Sequence, residues 1–216
     1  MMYLKYNLVL RSLLALVVLF AQISVCFANT ATEYVKSGNA FLQQSNYDQA
    51  ESDFTNAIKI NSKDALAYLG RAIAYTQQGN FSQAISDFTK ALEIIPNNAF
   101  VLSSRAGAYA QNGNIALAIS DYSKAIDLNP KDENSFYGRG LAYFQQVNYI
   151  QAESDFSKAI EINPNNTQFY KTRALTYCHL QNFNKAWSDV HKVEALGSNV
   201  DPDVIAELKK ESGKNS

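Results

Sequence analysis

The chain has 216 residues, 47% hydrophobic and 18% charged, with a formal net charge of −1. This composition excludes a disordered polymer and lacks the basic footprint of a nucleic-acid binder. Four prolines and nine glycines leave room for long helices.

The first 28 residues differ from the rest. Their only charges are Lys5 and Arg11, and SLLALVVLFAQISVCFA, residues 12–28, has none. A positive start, an apolar run and a small final residue form the layout of a secretory signal peptide, with cleavage expected after Ala28. A retained membrane anchor and a lipoprotein attached through Cys26 are the other readings. Val25 is large for the residue before a lipidated cysteine. Thr30-Ala-Thr-Glu33 reads as a capping box opening the first helix, so a tether here would press the domain on the bilayer. Cleavage leaves Cys178 as the only cysteine, so no internal disulfide is expected.

After Asn29 the chain repeats itself. SDFTNAIKINS, SDFTKALEIIP, SDYSKAIDLNP and SDFSKAIEINP begin at Ser52, Ser86, Ser120 and Ser154, and a decayed copy begins at Ser188. Each start lies 34 residues after the last, which divides the chain into units 31–64, 65–98, 99–132, 133–166 and 167–200. Positions 4, 8 and 11 of each unit follow helical spacing, as do 20, 24 and 27. Each unit therefore reads as two short amphipathic helices, A then B. Gly38, Ala72, Ala106, Gly140 and Ala174 stand at position 8. Ala50, Ala84, Ala118, Ala152 and Ala186 stand at position 20. Small residues in both columns allow close helix approach. Gly79-Asn80 and Gly113-Asn114 form A–B turns, and Pro96, Pro130 and Pro164 stop helix B.

In the second unit, Tyr68, Ala72, Tyr75, Ala84, Phe88, Ala91 and Pro96 carry the pattern. In the fourth it is Phe136, Gly140, Tyr143, Ala152, Phe156, Ala159 and Pro164. On these residues the chain resembles tetratricopeptide repeat (TPR) proteins over residues 31–200. The resemblance implies an all-α, right-handed superhelical solenoid of five helix-turn-helix units within residues 29–200. Residues 201–216 follow, in which DPDVIAELKKE reads as a capping helix and the last few residues as a frayed tail. One departure from the family stands out. Position 7, usually apolar, is Arg71, Arg105, Arg139 and Arg173, while position 23 is Asp53, Asp87, Asp121, Asp155 and Asp189. The first unit has Ser37 in place of arginine. The spare aspartate suggests an inter-repeat ladder, Asp53–Arg71, Asp87–Arg105, Asp121–Arg139 and Asp155–Arg173. Pairing inside a unit, as in Arg71–Asp87, is the competing arrangement.

Chemistry is sparse. His179 and His191 lie on different helices, and no HExxH, CxxC or Walker-type loop occurs. Cys178 and His179 are adjacent on a helix and point about 100° apart. Gly138-Arg-Gly140 lacks a third glycine. No catalytic residue, metal or cofactor is expected. Asn80 and Asn165 fit the N-x-[ST] acceptor pattern.

The resemblance implies a ligand groove lined by positions 2, 5, 9, 12 and 13 of the A helices. Carried onto this chain, it comprises Asn39, Leu66, Leu69, Ile73, Phe100, Tyr137, Leu141, Phe144 and Leu175, with a glutamine column at Gln43, Gln77, Gln111 and Gln145. The subset of the family that grips a C-terminal carboxylate matches poorly: the corresponding residues are Val35, Asn39, Gly70, Phe100 and Ser104, and only Asn39 agrees. The expectation is an exported, non-enzymatic module that binds a hydrophobic or amphipathic peptide or protein segment, with no nucleic acid and no small-molecule substrate. A structural or self-assembling scaffold, with a homo-oligomer, and a membrane-anchored component of an envelope complex are the alternatives.

Overall fold

The computed structural model describes residues 17, 30–200 and 202–213. The expected signal segment, apart from Val17, and the expected cap Asp201 lie outside them. Among the described residues there are eleven helices and no strand. The first unit, Met1–Pro96, holds α1 (residues 30–43), α2 (Tyr47–Ile60), α3 (Ala65–Gln77) and α4 (Phe81–Ile94). The second, Asn97–Ser216, holds α5 (Ala99–Gln111), α6 (Ile115–Leu128), α7 (Glu133–Gln145), α8 (Tyr149–Ile162), α9 (Thr167–His179), α10 (Phe183–Ala195) and α11 (Pro202–Ser212). Within each, helices pack in chain order, as the helix-pair expectation required.

Local chemistry sets the helix ends. Asp64, Asn98, Asp132 and Asn166 precede A helices, and each side chain accepts from a first-turn amide. Helix B stops two residues before proline: α4, α6 and α8 end at Ile94, Leu128 and Ile162, ahead of Pro96, Pro130 and Pro164. The residues before those prolines, Ile95, Asn129 and Asn163, have left the helix with φ between −127° and −136°. Thr30 is the first described residue of α1 and is itself helical, and Asn29 before it lies outside the described residues.

Each A–B connection turns on a left-handed residue. Gly79 and Gly113 have φ of 78° and 81°, and their neighbours close the turn, as in Asn80 N–H to Tyr75 C=O at 2.8 Å. Ser45, Val147 and Gln181 occupy the same place in the other pairs at φ 57°, 61° and 55°. For a β-branched side chain this backbone is strained.

Small residues let rings fill the space between helices. In the first unit Phe54 is fully buried within the cluster of Val35, Ala50, Ala57, Ala67 and Ala74. A Cβ at Gly70 would lie 2.2 Å from its ring and one at Gly38 2.9 Å, so the two glycines flank it from consecutive A helices. In the second unit Gly138 makes room for Tyr122 in the same way, and Gly140 for Phe156. Burial pushes the Tyr122 hydroxyl up to about 12, with a smaller push from Asp132.

The ends of the array differ in kind. On α1, Glu33, Lys36, Ser37 and Ala40 are exposed, whereas their counterparts on α3, Ala67, Gly70 and Ala74, are buried and Arg71 is half-buried. At the other end, α11 places Leu208 fully buried against Ala174, Tyr177, Ala186, Trp187 and Val190, with Ile205 beside them. The decayed fifth helix B is still core: Val190 and Val193 are fully buried.

Two outcomes follow from the turns and the core. Val147→Gly relieves the left-handed strain and should stabilise the protein by about 1 kcal/mol in urea titration. Tyr122 has a higher pKa folded than unfolded. Its contribution is therefore full below pH ~10 and is lost as pH rises towards ~12. Urea midpoints measured across that range should fall less steeply for Tyr122→Phe than for the native chain.

Candidate protein-interaction site

The charged columns settle into a pattern different from the expected ladder. Arg71 donates from Nε and Nη2 to Asp87 at 2.7 and 2.9 Å. Arg105 pairs with Asp121, Arg139 with Asp155 and Arg173 with Asp189, each bidentate. The predicted Asp53–Arg71, Asp121–Arg139 and Asp155–Arg173 pairs do not form; the competing arrangement within each helix pair does. The reason is hairpin geometry. Antiparallel helices set side by side the residues equidistant from their turn, and Arg71 and Asp87 are each eight residues from Gly79.

A link between helix pairs does exist, through a different atom. Arg71 Nη1 donates to Thr55 Oγ1 at 3.0 Å, Arg139 to Ser123 at 3.0 Å and Arg173 to Ser157 at 2.9 Å, each acceptor on the preceding helix B. Tyrosine hydroxyls add a second link where the preceding helix B carries glutamate, Tyr75 to Glu51 and Tyr177 to Glu153. The hydrogen bond that Arg71 donates to Asp87 holds its guanidinium above its ordinary pKa against the opposing effect of burial, and the bond to Asp155 does the same for Arg139. These residues are a packing device and bring no reactive group together.

The A-helix face carries the residues assigned to a groove. In the first unit Leu66 is 61% exposed, Asn39 is exposed, and Leu69 and Ile73 are half-buried. In the second unit Phe100 is 59% exposed, and Leu141 and Leu175 are half-buried. Tyr137 and Phe144 are more deeply committed than a ligand contact requires. Tyr137 rests against Phe169 and Phe156 at ring separations of 4.9 and 5.5 Å, and its hydroxyl meets Thr172. Phe144 meets Tyr149 and His179 edge-on, at 5.2 and 5.3 Å. Gln77, Gln111 and Gln145 are exposed along the same helices.

This arrangement of paired helices with small residues at 8 and 20 is matched by family models. Models described as tetratricopeptide or TPR repeat match residues 35–99, 106–147, 134–166 and 156–188. The chain belongs to the tetratricopeptide repeat family. Comparison with curated proteins yields no match. Among solved structures, the chain is similar to PilF of Pseudomonas aeruginosa, with 21% identity and a TM-score of 0.75. That match covers 87% of this chain and 86% of the other. It is similar to MamA, at 19% identity and 0.70, covering 87% and 96%. It is also similar to YrrB, whose structure is described as a TPR protein with an unusual peptide-binding site, at 21% and 0.67, covering 83% and 90%. At these identities the likeness is one of fold.

The TPR fold is a scaffold for protein interaction, and the remaining polar residues are consistent with that. Among the described residues no group of three His, Cys, Asp or Glu side chains could hold a metal. His179 lies parallel to Tyr149 at 4.5 Å, and His191 lies over Trp187 at 5.8 Å. Cys178 is half-buried and not in a disulfide. The acceptor-pattern asparagines Asn80 and Asn165 are both exposed. Sequence reasoning missed the hydroxyl column at position 25 and the apolar turn of the fourth pair, where Val147 and Ile150 are 67% and 70% exposed. The column was visible as Thr55, Thr89, Ser123 and Ser157. The turn was visible as valine where the other turns have glycine or a polar residue.

Removing a carboxylate that neutralises an arginine should cost far more than removing the one that does not. Asp155→Ala should destabilise by about 3 kcal/mol, because Arg139 is left half-buried without its counter-charge. Asp53→Ala, with no arginine opposite, should cost under ~1 kcal/mol. Equal losses in denaturant titration would place the stabilisation elsewhere.

Proposed function

We propose that this TPR protein is an exported, non-catalytic interaction module that binds an apolar or amphipathic peptide segment on the inner face of its A helices. The carrying observation is the exposure of Leu66 and Phe100, large apolar residues at the same position of consecutive repeats that the helix-pair core does not use. Leu69, Ile73, Leu141 and Leu175 extend that apolar character, and exposed glutamines beside it supply donors and acceptors for a peptide backbone. Lys171 is the one charged residue among positions 2, 5, 9, 12 and 13 of the second to fifth repeats, so an uncharged stretch of partner suits the surface. The peptide-binding description of YrrB agrees with this use of the fold. Export rests on residues 1–28 alone. The polar outer face of α1 and the covering of the last helix pair by α11 favour this reading over an end-to-end scaffold.

The test is partner capture with a photo-crosslinking residue at position 66 or 100, and at the helix B position 90 as control, in the native compartment. Adducts should form at 66 and 100 and not at 90. Leu66→Ser combined with Phe100→Ser should weaken binding of the captured partner at least about tenfold. Its thermal unfolding should stay close to native, because both side chains are exposed. Undiminished binding by a folded double variant would assign the partner to another face.

A further inference from the structure

The five repeats supply an internal comparison. In four of them an aspartate on helix B receives a guanidinium from helix A, and the four carboxylates are buried beneath it. In the first repeat Asp53 occupies the same place, eight residues beyond Ser45, but Ser37 stands where the arginine would be. Asp53 is half-buried, and among the described residues no hydrogen bond or ion pair engages it. The flanking face of α1 is equally unmatched. Glu33, Lys36, Ser37 and Ala40 form one stripe, at the register where α3 receives the preceding helix B through Ala67, Gly70 and Ala74.

We propose that Asp53, with the space left by Ser37, is a docking site for an arginine presented by a helix of a partner protein lying against the outer face of α1. Two carboxylates, Asp53 and Glu33, outnumber the one cation of the stripe, Lys36, and the four filled repeats show that this location takes a planar guanidinium in bidentate fashion, with donor distances of 2.6–3.1 Å. Small side chains at Ser37 and Ala40 let a helix approach closely. The repeats of a second copy are a poor occupant, because the arginines among the described residues, Arg71, Arg105, Arg139 and Arg173, are all held by their own aspartates. This surface is separate from the A-helix face and does not depend on that assignment.

The experiment follows backbone amide shifts of the full chain during titration with an alanine- and glutamine-based helical peptide bearing one central arginine, and with its citrulline twin. Saturable shifts are expected at Ser37 and Asp53 with the arginine peptide, at least about tenfold weaker with citrulline. Ser37→Arg, which fills the location from within the chain, should abolish those shifts and raise the thermal midpoint by roughly 2–4 °C. No saturable shifts, equal binding of the citrulline peptide, undiminished binding by Ser37→Arg, or an unchanged midpoint in that variant would each overturn the proposal.

Discussion

In the second, fourth and fifth repeats one guanidinium holds three helices. Its Nε and one terminal nitrogen bind the aspartate of its own helix B, and the other terminal nitrogen binds a hydroxyl on the helix B before. A fixed planar fork with five donors suits this task, and lysine could not replace it. The aspartate fixes the A–B hairpin, and the hydroxyl fixes how successive hairpins meet. Every other packing feature works inside that frame. Alanines at 8 and 20 set the helix separation, and the ring at 24 occupies space that glycine leaves on the next A helix, as Phe54 does at Gly70. A buried ion pair of this kind contributes little net stability over an apolar substitute, and its value lies in fixing one register among many.

The same frame explains where the array ends. Repetition alone would expose an apolar helix face at each terminus. At the start, that face of α1 is written in Glu33, Lys36, Ser37 and Ala40, with serine standing where the later repeats have arginine. At the finish, helix B exchanges its aromatic for Val190 and its alanine for Val193; α11 inserts Leu208 against Val190 and its neighbours, and Val193 packs with Ala159, Ile160, Phe169 and Tyr170. The drift of the fifth copy is thus an adaptation of packing to a different neighbour. It is a larger change than the start needs, because a helix B end must still bury a full apolar stripe.

Much of this was legible from residue columns. Helix positions, turn glycines, terminating prolines and the closing helix follow from local chemistry repeated at a fixed interval. The pairing of Arg71 was misread because the surplus aspartate was treated as a matter of counting. The hairpin centre at Gly79 carried the answer, since Arg71 and Asp87 are equidistant from it. The groove assignment was uneven for a related reason. A position shared with ligand-contacting residues in the family does not fix exposure, because exposure depends on the next helix. Phe100 remains open, while Tyr137 is drawn between Phe156 and Phe169. Val147 illustrates the reverse: its strain is invisible to a hydrophobic pattern and apparent only when the turn requires a positive φ.

What is left for function is what the frame does not consume. Positions 4, 8, 11, 20, 24 and 27 are occupied with the core, and 7, 23 and 25 with the register. The helix B outer faces carry exposed intrahelical ion pairs such as Lys90–Glu93 and Lys158–Glu161, whose charges are satisfied locally. The A-helix face is different. It is nearly uncharged and partly apolar, and its composition varies from repeat to repeat while the core columns stay constant. Leu66 and Phe100 are followed at the same position by Asn134 and Gln168. At that one position the column is apolar in the second and third repeats and polar in the fourth and fifth.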